Sequence, residues 1–205
     1  VQRISDDVPK QLSPADIEAF RERLCDVAEQ QFAAHGPDGV TLRQLADALG
    51  VSSMTPYRYF ADKDAILAAV RTRAFQRFSQ AMEDARAGGT AAKRSGNAYI
   101  AFALEHRAAY RLMFDTQQPT FEAYPELVAA MDRARLTMGA GLRQLAEQGK
   151  FRGDVELSAH TFWSVLHGAV MLELGNLLKP PLDAYAIAVP VLEMLGERLG
   201  LPPAK

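Results

Sequence analysis

Apolar residues recur along this chain at three- and four-residue spacing, and almost no segment alternates with period two. The pattern predicts an all-α chain of about nine helices. Residues 1–12 hold Asp6, Asp7, Pro9 and Lys10 with no apolar period and read as a flexible arm. Ser13, Pro14 and Asp16 then give an N-cap, a proline in the first helical position and a first-turn acid. The helix they start should bury Ile17, Phe20, Leu24, Val27, Ala28 and Phe32 and stop at His35-Gly36-Pro37. Thr41 caps a short helix with Leu42, Leu45, Ala46 and Leu49 on one face, and Gly50 stands where a left-handed C-cap residue belongs. Val51 plugs the turn, Ser52 and Ser53 offer a new N-cap, and a second short helix should run to about Phe60. Asp62 caps the next helix, with Ile66, Leu67, Val70, Ala74 and Phe78 as its apolar face.

Ala87-Gly88-Gly89-Thr90 breaks the pattern and sets the expected domains at 13–86 and 90–205. The second part reads as a bundle, with helices over about Thr90 to His106, Arg107 to Phe114, Tyr124 to Gln148, Leu157 to Leu178 and Asp183 to Leu199. Gln117-Gln118-Pro119 and Lys179-Pro180-Pro181 interrupt them. On the helix 157–178, Trp163, Leu166, Val170, Leu174 and Leu177 form one apolar row, which Val165, Met171 and Leu178 widen. The helix 183–199 is similar. Helices apolar around so much of their girth must be covered on most sides. They are expected to pair with their copies in a homodimer, the alternative being central helices of a monomer.

Two short helices joined by a glycine turn form a helix-turn-helix, which can set its second helix in the major groove of DNA. Between Asp47 and Asp62 there is no acidic residue. The exposed groups expected there are Ser52, Ser53, Thr55, Tyr57, Arg58 and Tyr59: hydroxyls for phosphates or base edges, and an arginine for guanine. Lys63 follows near a helix start, where an ammonium and free N–H groups suit a phosphate. The plainer reading is a glycine turn inside an ordinary bundle. The acid-free, hydroxyl-rich segment favours DNA.

The run TLRQLADALGVSSMTPYRYFADKDAIL resembles the DNA-binding domain of the tetracycline-repressor (TetR) family of bacterial transcription regulators. Its most specific part is YRYF at Tyr57 to Phe60, then Lys63 and the apolar pair Ile66 and Leu67. The resemblance covers roughly Ser13 to Ala85. Met54, where a small residue is usual, and Pro56 inside the short helix depart from the common pattern. A proline belongs only in the first turn, so that helix should start between Ser52 and Thr55. The resemblance implies DNA contacts from Thr41, Arg43, Ser52, Ser53, Met54, Thr55, Tyr57, Arg58 and Lys63. The segment HTFWSVLHGAVMLEL, with Trp163, His167 and Gly168, and the run from His106 to Asp115 resemble an effector-domain subset of the same family. The implied protein is a cytoplasmic, ligand-responsive repressor that binds a near-palindromic operator in double-stranded DNA as a homodimer.

Composition adjusts this little. A net charge of −2 argues weakly against a general nucleic-acid coat protein, but not against a regulator that needs only local positive patches. The single cysteine, Cys25, excludes an internal disulfide and fits a reducing cytosol. No signal peptide and no membrane-spanning run is visible. No HExxH, paired cysteines, Walker loop, GxGxxG or GxSxG occurs, so no enzyme, metal or cofactor is expected. His160 and His167 lie two turns apart, about 10 Å, too far to share a metal. A pairing of His167 with Glu173 stays open, as does an enzymatic or ligand-binding bundle whose helix-turn-helix is only structural. For a small apolar or aromatic effector the candidates are Phe102, Tyr110, Met113, Phe114, Met131, Arg135, Trp163 and His167, with Tyr99 and Met138 beside them.

Overall fold

The computed structural model describes residues 13–87, 92–115 and 121–201. The expected arm 1–12, the break at Gly88-Gly89-Thr90 and the break at Gln117-Gln118-Pro119 lie outside them. Among the described residues the chain has eight α-helices and no strand: α1 (Pro14–His35), α2 (Leu42–Ala48), α3 (Lys63–Ala87), α4 (Ala92–Glu105), α5 (Arg107–Met113), α6 (Pro125–Glu147), α7 (Val155–Leu174) and α8 (Ala184–Arg198). Two compact units divide at Leu67/Ala68, inside α3.

The first unit forms where local signals agree. Ser13 and Asp16 exchange bonds in a capping box at α1, and Thr41 and Gln44 do the same at α2. Asp62 accepts from Ala65 N–H at 2.7 Å and caps α3. Gly50 takes φ 67°, so its N–H reaches Asp47 O while Val51 N–H reaches Ala46 O, which closes the end of α2. Leu24, Ala28, Phe32, Val40, Leu45, Ala46 and Ile66 fill the core. Ile17 does not join it. Residues 13–19 are all exposed, and the buried face of α1 begins at Phe20.

The ninth helix expected, over Ser52 to Phe60, is instead one 3-10 turn at Pro56–Arg58. Pro56 has no N–H, so Ser52 O is taken by Thr55 N–H at 2.8 Å. Thr55 O then accepts from Arg58 N–H at 3.1 Å and Pro56 O from Tyr59 N–H at 3.0 Å. Three-residue closure winds the chain more tightly than an α-helix.

In the second unit α7 packs on α4, α6 and α8, and α4 also meets α5 and α8. The core runs through Phe78, Tyr99, Phe102, Tyr110, Leu166, Val170, Ala188 and Leu192. α7 stops at Leu174, four residues short of the expected Leu178, because Asn176 turns left-handed at φ 55°. Two arginines close helix ends here. Arg111 Nη2 donates to Leu174 O at 2.6 Å. Arg71, only 4% exposed, donates from Nε to Leu112 O at 3.1 Å and from Nη2 to Met113 O at 3.2 Å. A guanidinium at the C-terminal carbonyls satisfies orphan acceptors and meets the negative end of the helix dipole. Burial pulls the Arg71 pKa down and the nearby Asp115 carboxylate pushes it back.

Removing that fork takes a charged donor away from two helix-end carbonyls. Arg71→Met is expected to lower stability by about 2–4 kcal/mol in urea denaturation. Arg71→Lys should recover only part, because an ammonium lacks the two-point fork.

Candidate functional site

Two surfaces carry the chemistry. On the first unit, the YRYF element divides into anchors and free groups. Tyr59 stacks on Phe20 with ring centroids 4.1 Å apart and planes 25° apart. Its carbonyl accepts from Arg21 Nη1 at 2.6 Å, and the same guanidinium lies 4.1 Å from the Phe60 ring centroid. Phe60 is buried. With Tyr59 and Phe60 pinned, Tyr57 and Arg58 face solvent, Tyr57 at 52% exposure. Tyr59 thus leaves the set of exposed groups expected from sequence.

Thr41, Arg43, Ser52, Ser53 and Met54 are also exposed, and Thr55 is half-buried. Arg43 lies 3.9 Å from Asp47 in an exposed i,i+4 pair, which holds it only weakly. Lys63 is half-buried and its Nζ donates to Pro37 O at 2.7 Å. It therefore ties the loop before α2 to α3, with two N–H donors left for another acceptor.

The second surface is a cavity of about 270 Å³ inside the second unit. Phe75 and Phe78 of α3, Met113 and Phe114, Met131, Ala134 and Met138 of α6, and Ala159 and Trp163 of α7 form its apolar wall. Asp132, Arg135, Glu156 and His160 supply its polar groups. Of the candidate effector residues, the structure brings Met113, Phe114, Met131, Arg135, Trp163 and Met138 to this cavity. Phe102, Tyr110, His167 and Tyr99 do not line it. Phe102 packs edge-on to Phe78 at 5.3 Å, in the core behind the wall.

The other three form a buried polar chain. Trp163 Nε1–H donates to Tyr99 Oη at 2.9 Å, Tyr99 and Tyr110 hydroxyls are 2.6 Å apart, and Tyr110 Oη is 2.7 Å from His167 Nδ1. Indole only donates, so the chain runs in one direction: the Tyr99 hydroxyl donates to Tyr110 Oη, and the Tyr110 hydroxyl donates to His167 Nδ1. Nδ1 must then accept, which fixes His167 as the neutral ring with its proton on Nε2. Burial pushes both tyrosine pKa values up and that of His167 down. Glu173 instead accepts from Ala184 N–H at 2.6 Å, so the pairing of His167 with Glu173 does not form.

Phe75, Phe78, Asp132, Ala134, Glu156, Ala159 and His160 also line the cavity and are not among the candidates read from sequence. Phe75 and Phe78 read as ordinary core of α3, and nothing local shows that their helix faces a cavity. His160 had a signal: it shares a helix face with Trp163, at i,i+3.

Residues 24–70 match the family described as bacterial regulatory proteins, tetR family, and residues 92–195 match the tetracyclin repressor-like C-terminal domain. The HTH-type transcriptional regulator Rv1816 of Mycobacterium tuberculosis is 25% identical over 147 residues, which cover 69% of this chain and 62% of that relative. The chain thus spans less than two thirds of that relative's length. The HTH-type transcriptional repressor Rv1474c of the same species is 33% identical over 89 residues, 43% of this chain and 42% of that one. A solved structure of a protein of unknown function from Rhodococcus sp. RHA1 superposes with a TM-score of 0.77 at 26% identity, covering 88% of this chain and 95% of its own.

A pH dependence follows from the polar chain. Folding keeps His167 neutral, so below its ordinary value of 6.5 the unfolded chain binds the extra proton first. The stability from this group is complete above about pH 6.5 and falls as pH drops through the lowered folded value. Asn places an acceptor near the position of Nδ1 without titrating. His167→Asn should therefore flatten the acid side of a stability profile measured by urea denaturation from pH 5 to 8, the range in which histidine titrates. A profile as steep as wild type would contradict the assigned tautomer.

Proposed function

The chain belongs to the TetR family of bacterial transcription regulators, and from that premise we propose that it is a cytoplasmic, ligand-responsive repressor acting on a near-palindromic operator as a homodimer. The observation that carries the DNA reading is the split within YRYF. Tyr59 and Phe60 are pinned to α1, which presents Tyr57 and Arg58 outward from a segment, 48–61, that holds no acidic residue. Ser52, Ser53, Met54 and Thr55 precede them, with Thr41 and Arg43 at the start of α2 as backbone contacts. Two heads set about 34–36 Å apart would reach successive major grooves.

The dimer reading draws on the uncovered apolar groups of the last two helices. Met171 and Leu172 of α7 and Met194 of α8 are 42%, 40% and 61% exposed. A side chain at Gly168 would meet nothing within 4 Å in its own chain. A second copy laid across α7 and α8 would cover these groups, and the glycine admits its backbone closely. The sign of regulation follows the relative named a repressor.

The cavity is the proposed effector site. An effector that favours another head separation weakens DNA binding, and linkage makes DNA weaken the effector by the same factor, about 5–150-fold. Trp163 is the only tryptophan, so its emission reports directly on the cavity.

An electrophoretic shift with promoter DNA upstream of the coding region tests the DNA reading. Arg58→Ala and Tyr57→Ala should each cost about 1–3 kcal/mol per half-site and leave the dimer intact. Parent-like binding by both variants would refute the placement of the interface. Gly168→Leu should shift the light-scattering mass toward monomer and weaken operator binding with it, without unfolding the chain. A wild-type monomer at micromolar concentration would remove the dimer from the account.

A further inference from the structure

The charged groups of the cavity rim, taken together with Arg143 beside it, already balance. Arg135 Nη1 meets Glu156 Oε2 at 3.3 Å, and its Nε lies 3.7 Å from Asp132. The other oxygen of Glu156 meets Arg143 Nη1 at 3.0 Å, and Arg143 also donates to Leu136 O. Two carboxylates and two guanidiniums therefore interleave along the edge between α6 and α7. An anionic head at Arg135 would stand beside Asp132 and Glu156. A cationic head at those acids would stand beside Arg135 and Arg143. Either gains at one neighbour what it loses at the next.

His160 differs. Its Nδ1 lies 2.7 Å from Glu156 O, an acceptor only, so Nδ1 carries the proton and donates. Its ring lies 5.9 Å from that of Trp163, edge to face. In the neutral ring Nε2 is then an acceptor, and it has no partner among the described residues. Among the polar side chains lining the cavity, this is the one that offers an acceptor outside the ion-pair set. Phe75, Phe78, Phe114 and Trp163 supply flat aromatic walls around the remaining space.

From this juxtaposition we propose that the cavity selects an uncharged, largely aromatic molecule carrying one hydroxyl, which donates its hydrogen to His160 Nε2 at the rim. The proposal rests on the reading of the cavity as the effector site. It narrows that site to a phenol-like or aromatic-alcohol class and makes His160 the residue that chooses it. The ion pairs position the ring through the backbone of Glu156 and reject charged analogues.

A matched set of naphthalenes tests it, with hydroxyl, methyl, carboxylate or aminomethyl at the same ring position, by equilibrium dialysis against the full chain. The hydroxyl compound should bind about tenfold tighter than the methyl compound, the worth of one hydrogen bond, and tighter than both charged ones. His160→Leu should erase the difference between hydroxyl and methyl, and His160→Gln, which keeps an acceptor, should retain most of it. Tightest binding by the carboxylate, lost in Arg135→Ala, or by the aminomethyl compound, lost in Glu156→Gln, would overturn the proposal. So would a hydroxyl preference that survives His160→Leu. Equal binding of all four would overturn this inference and leave the apolar effector site standing. Binding of none would remove both, and the operator shift judges the DNA reading separately.

Discussion

Two tyrosine hydroxyls with no exposure to water set the constraint on which the second unit depends. A buried hydroxyl without a partner is costly, and Tyr99 and Tyr110 are both fully covered. They satisfy each other and reach outward to two residues of α7, Trp163 and His167. Because indole can only donate, one proton order serves the whole chain. Putting a proton on His167 Nδ1 would force Tyr110 to donate back to Tyr99, which already accepts from Trp163, and the Tyr99 proton would lose its partner. The network therefore fixes a tautomer, a ring orientation and the contact of α4 and α5 with α7. One end of it, the indole of Trp163, is also a wall of the cavity. Polar satisfaction in the core and the shape of the proposed effector site are thus the same requirement.

Arg71 sets a second constraint from the other side. Its guanidinium holds the last carbonyls of α5, and Met113 and Phe114 at that helix end form part of the cavity wall. Phe75, one turn further along α3, contributes to the same wall and meets Phe114 edge-on at 6.0 Å. A ligand pressing on Phe114 would load both the aromatic contact and the arginine fork. These are discrete packed and hydrogen-bonded arrangements, the kind of element through which binding can bias an equilibrium.

Much of the fold was legible in the sequence because its signals are local. Ser13, Thr41, Asp62 and Asp183 act as caps within three residues of their partners, and Gly50 takes the left-handed turn its position implied. What escaped was set by competition or by distance. The 3-10 turn at Pro56 arose because a missing N–H outweighed the helical apolar spacing around it. Tyr59 reads as a polar surface residue until Phe20, far away in sequence, is laid against its ring. The tyrosines were visible as candidates, but their bond to each other spans 11 residues, and those to Trp163 and His167 span 64 and 57. No periodicity carries such information. Phe75 and Phe78 show the same limit, because facing a cavity and facing a packed neighbour leave identical spacing.

The exposed apolar residues of α7 and α8 gain meaning from what surrounds them. The inner faces of these helices are fully occupied: Leu166, Val170 and Leu174 on α7 and Ala184, Ala188 and Leu192 on α8 are buried. Met171, Leu172 and Met194 therefore cannot turn inward without expelling others from a filled core, since packed interiors hold few voids. Their exposure is a consequence of the chain's own packing. Gly168 lies one residue from His167 on the same helix. A partner backbone admitted at that glycine would stand beside the histidine that terminates the buried polar chain. Dimer contact and effector cavity would then share a single helix, with Trp163 on the wall of one and Gly168 on the face of the other. Those two positions are five apart on α7, about 1.4 helical turns. A rigid helix of that length passes displacement on with little loss, so under the proposed function α7 itself would connect effector binding to the geometry of the dimer.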